Sequence, residues 1–186
     1  TRFIAFTNKK EYFYQSELSY SSYRVNYGAR HMDHSQFGHF TSGNFGLSVL
    51  SDNDVYSFNI TRSLRPADAT DLYGFGGIPT LKPEESFSYE FGIKRYVNKN
   101  TFLRGTLFKT KIKNLIEANS LSQLYISDSL VTGLELRAQT IVHPFKYDIG
   151  YTYMIPKDTK NNQPLTKRSK HKLNADLIYK INQDSD

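Results

Sequence analysis

Apolar and polar residues alternate one by one along most of this chain, and a period of two admits strands with one greasy face and little else. Tyr56, Phe58 and Ile60 fall on one side of a segment whose other side is Ser57, Asn59 and Thr61. Downstream, Phe87, Tyr89, Phe91 and Ile93 alternate with Ser88, Glu90, Gly92 and Lys94. The same signature predicts about ten strands, at 1–7, 11–19, 23–31, 41–50, 55–64, 84–96, 101–113, 130–142, 146–154 and 169–181. Many have roughly the 9 to 11 residues that a tilted membrane-spanning strand needs. No helical period is sustained. The best helical candidate, Asn114 to Leu124, is short, lacks a convincing cap and lies where a loop is expected.

The connections alternate in length. Those at 20–22, 51–54, 97–100 and 143–145 are short, whereas those at 31–40, 65–83, 114–129 and 155–168 are long. In an up-and-down antiparallel sheet, every second turn lies at the same end, so one end is tight and the other carries loops. Short periplasmic turns and longer extracellular loops give an outer-membrane barrel this asymmetry. Asp52-Asn53-Asp54 and Asn98-Lys99-Asn100 supply turn residues that tolerate left-handed backbone.

Apolar faces run through Tyr23, Val25 and Tyr27; Phe45, Leu47 and Val49; Leu134, Leu136 and Ala138; Tyr147, Ile149 and Tyr151; and Leu173, Ala175 and Leu177. Opposite them lie Arg24, Asn26 and Arg30, then Glu135, Arg137 and Gln139, then Lys172, Asn174 and Asp176. A sandwich would stack the apolar face on a second sheet, whereas a large barrel turns it to lipid and its polar face to a wet or plugged lumen. Charges on consecutive inner positions favour the lumen. The segment 101–113 is ambiguous, with Phe102 and Phe108 on one face and Leu103 and Leu107 on the other. The fold expected is therefore all-β: an antiparallel up-and-down meander of about ten strands, an arc of a large transmembrane β-barrel.

With 14 Tyr and 13 Phe and no Trp, the chain suits membrane-interface girdles and half-buried strands. No run approaches the roughly 20 apolar residues of a spanning helix, so any membrane residence must be through strands. The absence of cysteine excludes a disulfide framework and thiolate chemistry. The net charge of +6 is spread over strands and loops instead of forming one stripe, which argues against nucleic acid.

Four boxes follow one another in order: Arg65-Pro66-Ala67, Asp71-Leu72-Tyr73-Gly74, Pro79-Thr80-Leu81-Lys82-Pro83-Glu84 and Ser86-Phe87-Ser88-Tyr89-Glu90-Phe91-Gly92. Their order and spacing resemble the barrel of TonB-dependent outer-membrane receptors. Gly133-Leu134-Glu135, Gly150-Tyr151-Thr152-Tyr153 and Pro164-Leu165 with the basic run to Lys172 extend the resemblance, which is strongest from Tyr56 to Tyr179. The resemblance implies uptake of a scarce metal chelate: a ferric siderophore, haem, cobalamin or a nickel complex. It also implies location in the outer membrane of a Gram-negative bacterium, contact with outer-membrane lipid and lipopolysaccharide, a plug domain in the lumen, and TonB engaged through an N-terminal region. Such receptors have about 22 strands. Residues 1–186 are accordingly expected to be part of the barrel domain, its middle-to-late portion, with plug and C-terminal strands absent.

The loop containing His31, Met32, Asp33, His34 and His39 carries imidazoles and a thioether suited to a transition metal or haem iron, and His34 and His39 are the expected metal ligands. In the loop 65–83, Asp71, Tyr73 and Phe75 offer hydrogen-bonding and aromatic contacts to a chelate. The haem receptors of the family carry boxes resembling Phe-Arg-Ala-Pro and Asn-Pro-Asn-Leu with a His between. Here they read Leu64-Arg65-Pro66-Ala67 and Ile78-Pro79-Thr80-Leu81 without that His, a departure that counts against haem.

Enzymatic alternatives have less support. Gly74-Phe75-Gly76-Gly77 lacks the following helix and Lys-Ser/Thr of a phosphate cradle, and there is no nucleophile elbow. Glu90 and Glu135 read as lumen charges more simply than as a glycosidase pair. No cofactor and no catalytic residue are expected. The rival reading is a secreted all-β ligand- or carbohydrate-binding module.

Overall fold

In the computed structural model, which describes residues 6–118, 124–165 and 168–181, the backbone pairs into one continuous antiparallel meander. Its strands are β1 (Lys9–Tyr20), β2 (Tyr23–His34), β3 (Gly38–Ser51), β4 (Asp54–Arg65), β5 (Glu84–Asn98), β6 (Thr101–Ala118), β7 (Leu124–Val142), β8 (Phe145–Asp158) and β10 (His171–Tyr179). A two-residue β9 (Gln163–Pro164) pairs with the end of β8, and a five-residue helix α1 (Ala69–Tyr73) lies between β4 and β5. Each strand neighbours the next in sequence, with β10 following β8. No second sheet packs on this one among the described residues, which removes the sandwich.

The register sorts the two faces. One cross-strand row reads Val25, Leu47, Phe58, Phe91, Leu107, Leu134 and Tyr153. Side chains alternate across a sheet, so every second row repeats this apolar face, and the rows between carry the polar one. Ladder pairing also resolves the ambiguous strand: Leu103 pairs with Ala138 and Leu107 with Leu134, which puts the leucines of β6 outward and Phe102 and Phe108 inward. Inward Phe108 lies across Gly133, where an added Cβ would meet its ring at 2.5 Å and the Tyr153 carbonyl oxygen at 2.4 Å. In a sheet one layer thick, the outward residues bury little against protein, and Leu107 in the middle of the sheet stays 57% exposed. Hydrocarbon satisfies such a face, whose backbone groups are already paired along the ladder.

The tight end follows expectation. The hairpins 20–23 and 51–54 turn through Ser21 and Asp52, both in left-handed backbone (φ 49° and 43°), and Asn98 Oδ1 accepts from the Asn100 amide at 2.8 Å.

The loop end departs from expectation in several places. The strand expected at 1–7 falls partly outside the described residues, and residues 6–8 form no strand. The expected long loop 31–40 is instead a continuation of the β2–β3 ladder to the pair His34 and Gly38, closed by three residues, with Gly38 at φ +78°. The alternation carries on through Met32, His34 and Phe40, so the polar composition masks a strand. Residues 114–118 are strand and not helix: β6 continues past a bulge between Ile112 and Leu115, where Asn114 takes φ +53° and its amide donates to Asp128 Oδ1 at 2.9 Å. β8 likewise runs four residues beyond its expected end at Met154.

The segment between Arg65 and Glu84 is a long loop of the expected kind, and it has its own core. Ala67, Leu72 and Leu81 are buried together, with Phe37, Ile78 and Ile116 packed against them.

Candidate functional site at the loop end

The helix α1 exists because of a reciprocal cap. Asp68 Oδ1 accepts from the Asp71 amide at 2.8 Å, and Asp71 Oδ2 accepts from the Asp68 amide at 3.2 Å. Leu72 on the helix then enters the small core. Gly74 closes the turn with its amide on the Thr70 carbonyl at 2.9 Å.

Two inward positions at the strand ends clamp this loop. Arg65 donates Nε to Glu84 Oε2 at 2.7 Å and Nη2 to Glu84 Oε1 at 2.9 Å, a bidentate pair across the β4–β5 mouth. Glu84 Oε1 also accepts from the Ile116 amide at 2.8 Å, tying the extension of β6 to the same point. Asn114 Nδ2 adds a bond to the Pro83 carbonyl at 3.2 Å. The carboxylate of Glu84 pushes the Arg65 guanidinium above its usual pKa, so Arg65 stays charged. On the other side, Gln36 Nε2 donates to the Tyr73 hydroxyl at 3.1 Å and Phe37 joins the loop core, so the β2–β3 turn braces the loop.

The predicted site residues are divided by this arrangement. Phe75 is 92% exposed, and Tyr73, two residues before it, is partly exposed. Asp71 serves the cap and lies 3.7 Å from Arg65 Nη1. His34 is buried at an inward position, its Nδ1 accepting from the Gln36 amide at 3.2 Å and its ring 4.9 Å from Phe37. His39 pairs with Asp33 on the opposite, outward face, 3.4 Å from that carboxylate and stacked on His31 at 5.8 Å between ring centres. The structure does not bring His34 and His39 together, because the alternation of the extended β2–β3 ladder sends them to opposite sides. Among the described residues no group of three or more His, Asp or Glu side chains is placed to hold a metal ion.

Below the loops, the inward face is polar, and some of its charges pair with one another. Arg137 Nε donates to Asp148 Oδ1 at 2.8 Å, beside Lys172, Asn174 and Asp176. Glu11 takes ion pairs from both Lys9 and Arg30. Ser88 and Thr110 share a hydrogen bond at 2.9 Å. Glu90 and Glu135 lie on β5 and β7 with β6 between them, two strand spacings across and two residues along, or about 12 Å apart.

Sequence reasoning missed Gln36, Phe37 and Glu84 as the residues that hold the loop. Arg65 and Glu84 as the last and first residues of two strands around one loop was a legible sign. The partners Ile116 and Tyr73 were not, being 32 and 37 residues away from the groups they meet.

A family model described as TonB dependent receptor-like, beta-barrel matches residues 1–185. Among solved structures, the copper transporter OprC superimposes with a TM-score of 0.78 at 16% identity, over 95% of this chain and 34% of that one. The siderophore receptor PirA from Pseudomonas aeruginosa gives a TM-score of 0.75 at 20% identity, over 95% and 35%. A mutant of the ferric enterobactin receptor PfeA from the same organism gives 0.78 at 20%, over 96% and 31%. The chain spans about a third of the length of these structures.

Proposed function

This chain belongs to the TonB-dependent receptor β-barrel family, outer-membrane proteins of Gram-negative bacteria that transport and do not catalyse, and from that premise we propose that it forms wall and binding-side loops in the uptake of a scarce metal chelate. The cargo is a ferric siderophore, haem, cobalamin or a nickel complex; the missing His between the two loop boxes counts against haem. Its structural neighbours, a copper transporter and siderophore receptors, support a metal or metal-chelate cargo. One observation carries the reading. An exposed aromatic, Phe75, is presented on a loop that is clamped to two inward strand ends, at the mouth of a wall whose inner face is charged.

In this reading Tyr73 and Phe75 meet the cargo, and Asp71 acts by shaping the loop. His34 lines the inner wall, and a metal bound there would take its other donors from the cargo or from the plug domain. His39 contributes no ligand to the same metal as His34. A plug domain fills the lumen against the paired charges of Arg137 and Asp148, and TonB pulls on that plug from the periplasm.

The test is uptake by cells that carry the full receptor, supplied with radiolabelled iron as catecholate and hydroxamate complexes and with labelled cobalamin, nickel and copper. Phe75→Ala with Tyr73→Ala is expected to lower apparent affinity for one of these by about tenfold, with the receptor level in the membrane unchanged. Uptake of every cargo at the parental affinity in that variant would remove these residues from the site.

A further inference from the structure

The outward face of the β2–β3 hairpin turns polar towards its tip. On β2 it runs Tyr23, Val25, Tyr27 and Ala29, and then His31 and Asp33, with Thr41 and His39 opposite them on β3. Nine residues separate Ser22, in the tight turn, from His31, a rise of about 23 Å for a strand tilted by some 40°. The apolar band of such barrels is about 25 Å tall, so His31 stands at its upper edge and Asp33 and His39 stand above it.

Two imidazoles meet at this level. The ladder pairs His31 with Thr41 and Asp33 with His39, which makes His31 and His39 diagonal neighbours. Their rings stack 5.8 Å apart between centres, with 14° between their planes. Each ring is held by one nitrogen: His31 Nδ1 lies 3.1 Å from the Thr41 hydroxyl oxygen, and His39 Nδ1 lies 3.4 Å from Asp33 Oδ1. An ionised carboxylate only accepts, so the proton of the neutral His39 ring sits on Nδ1 and its lone pair on Nε2. The Thr41 hydroxyl can accept from His31 in the same way. Nε2 of both rings is without a partner among the described residues, and both side chains are exposed.

A ring fixed through Nδ1–H with Nε2 free is how metal-ligating histidines are prepared. Zinc, copper and nickel suit imidazole, and the zinc distance to its nitrogen is about 2.0–2.1 Å. Two imidazoles on one tetrahedral ion have their ring centres about 5 Å apart, so this pair has under about 1 Å to close, with each exposed ring turning about its soft χ2. We propose that His31 and His39 chelate a divalent transition-metal ion through Nε2, with Asp33 and Thr41 as positioning residues and water completing the coordination. This is a clip of two protein ligands and not a closed cage. It faces away from the lumen, so the ion it holds is not cargo. Its ligands come from adjacent strands, and the ion therefore ties β2 to β3 just below the turn that braces the long loop through Gln36 and Phe37.

The experiment uses the full receptor, purified without a histidine tag, stripped with a chelator and titrated with Cu2+ and Zn2+ salts. The unaltered receptor is expected to bind a Cu2+ ion whose electron paramagnetic resonance shows coupling to two imidazole nitrogens, and His31→Gln with His39→Gln is expected to lack that ion. Asp33→Asn should weaken it about tenfold and Asp33→Glu should restore most of the affinity, with the two-nitrogen signal kept in both. Either single histidine substitution should weaken it further than Asp33→Asn does, while His34→Gln leaves the titration unchanged. Zn2+ at about a hundred times its Kd should slow amide exchange across 31–40 by up to about a hundredfold in the unaltered receptor and not in the double variant. The two-nitrogen signal persisting in the double variant overturns the proposal, as does its loss in His34→Gln. Zinc that binds without slowing exchange across 31–40 overturns it too, by removing the clip. Cargo uptake is a separate readout, so failure of the copper titration leaves the transport reading standing.

Discussion

The tight end and the loop end of this sheet are built by different rules. At the tight end the hairpins close within a few residues, three of them on Ser21, Asp52 and Asn98, and a register shift between Tyr96 and Asn98 interrupts the ladder there. At the loop end, order depends on partners far apart in sequence: Arg65 with Glu84, Glu84 with the Ile116 amide, and Gln36 with Tyr73. A wall of this kind needs only a repeated local pattern and a surrounding lipid. Its binding surface needs specific distant bonds, so the two ends should fail separately when perturbed.

The largest effect is expected at mid-height on the outward face. Phe58→Arg in the full receptor should destabilise the folded barrel by about 2–4 kcal/mol in urea titrations in lipid, whereas Asn174→Arg on the inward face should cost under about 1 kcal/mol. Equal costs would break the assignment of faces. Next comes Gly133→Val, which forces apart Phe108 and the Tyr153 backbone and should cost about 1–3 kcal/mol in the same titration.

Glu84→Gln sharpens the contrast between the ends. It weakens the Arg65 fork and the Ile116 contact together, worth about 1–3 kcal/mol locally. Faster amide exchange is expected at Ile116 and across 67–82, with protection of β2 to β5 below the loop unchanged. Loss of protection throughout the wall would merge the two ends into one cooperative unit. The smallest effect belongs to Asp68→Ala, which removes the α1 cap and should cost about 1 kcal/mol, read as increased exchange at Asp71 and Leu72 alone.

Much of the wall was legible in the amino-acid order. Alternation through Tyr56, Phe58 and Ile60 and through Phe87 to Ile93 placed β4 and β5 within one or two residues of their observed ends. Expectation failed where polar composition was mistaken for a loop. His31 to His34 and His39 to Phe40 keep the period of two but carry imidazoles and a carboxylate, and the structure pairs them. That error joined His34 and His39 in one imagined cluster when the ladder puts them on opposite faces. The Asn114–Ala118 segment was misread for a related reason: the bulge at Asn114 breaks the period that would have identified it.

Residue order alone determined that this chain makes strands with one oily and one charged face, and where the short turns of one end fall. Those properties follow from side-chain alternation and turn chemistry, which act over a few residues. Tertiary structure decided which face the leucines of β6 take, how the loop between Arg65 and Glu84 is held, and how His31 comes to stand beside His39. Register is a relation between strands, and a slip of one residue would turn every one of those side chains to the other side.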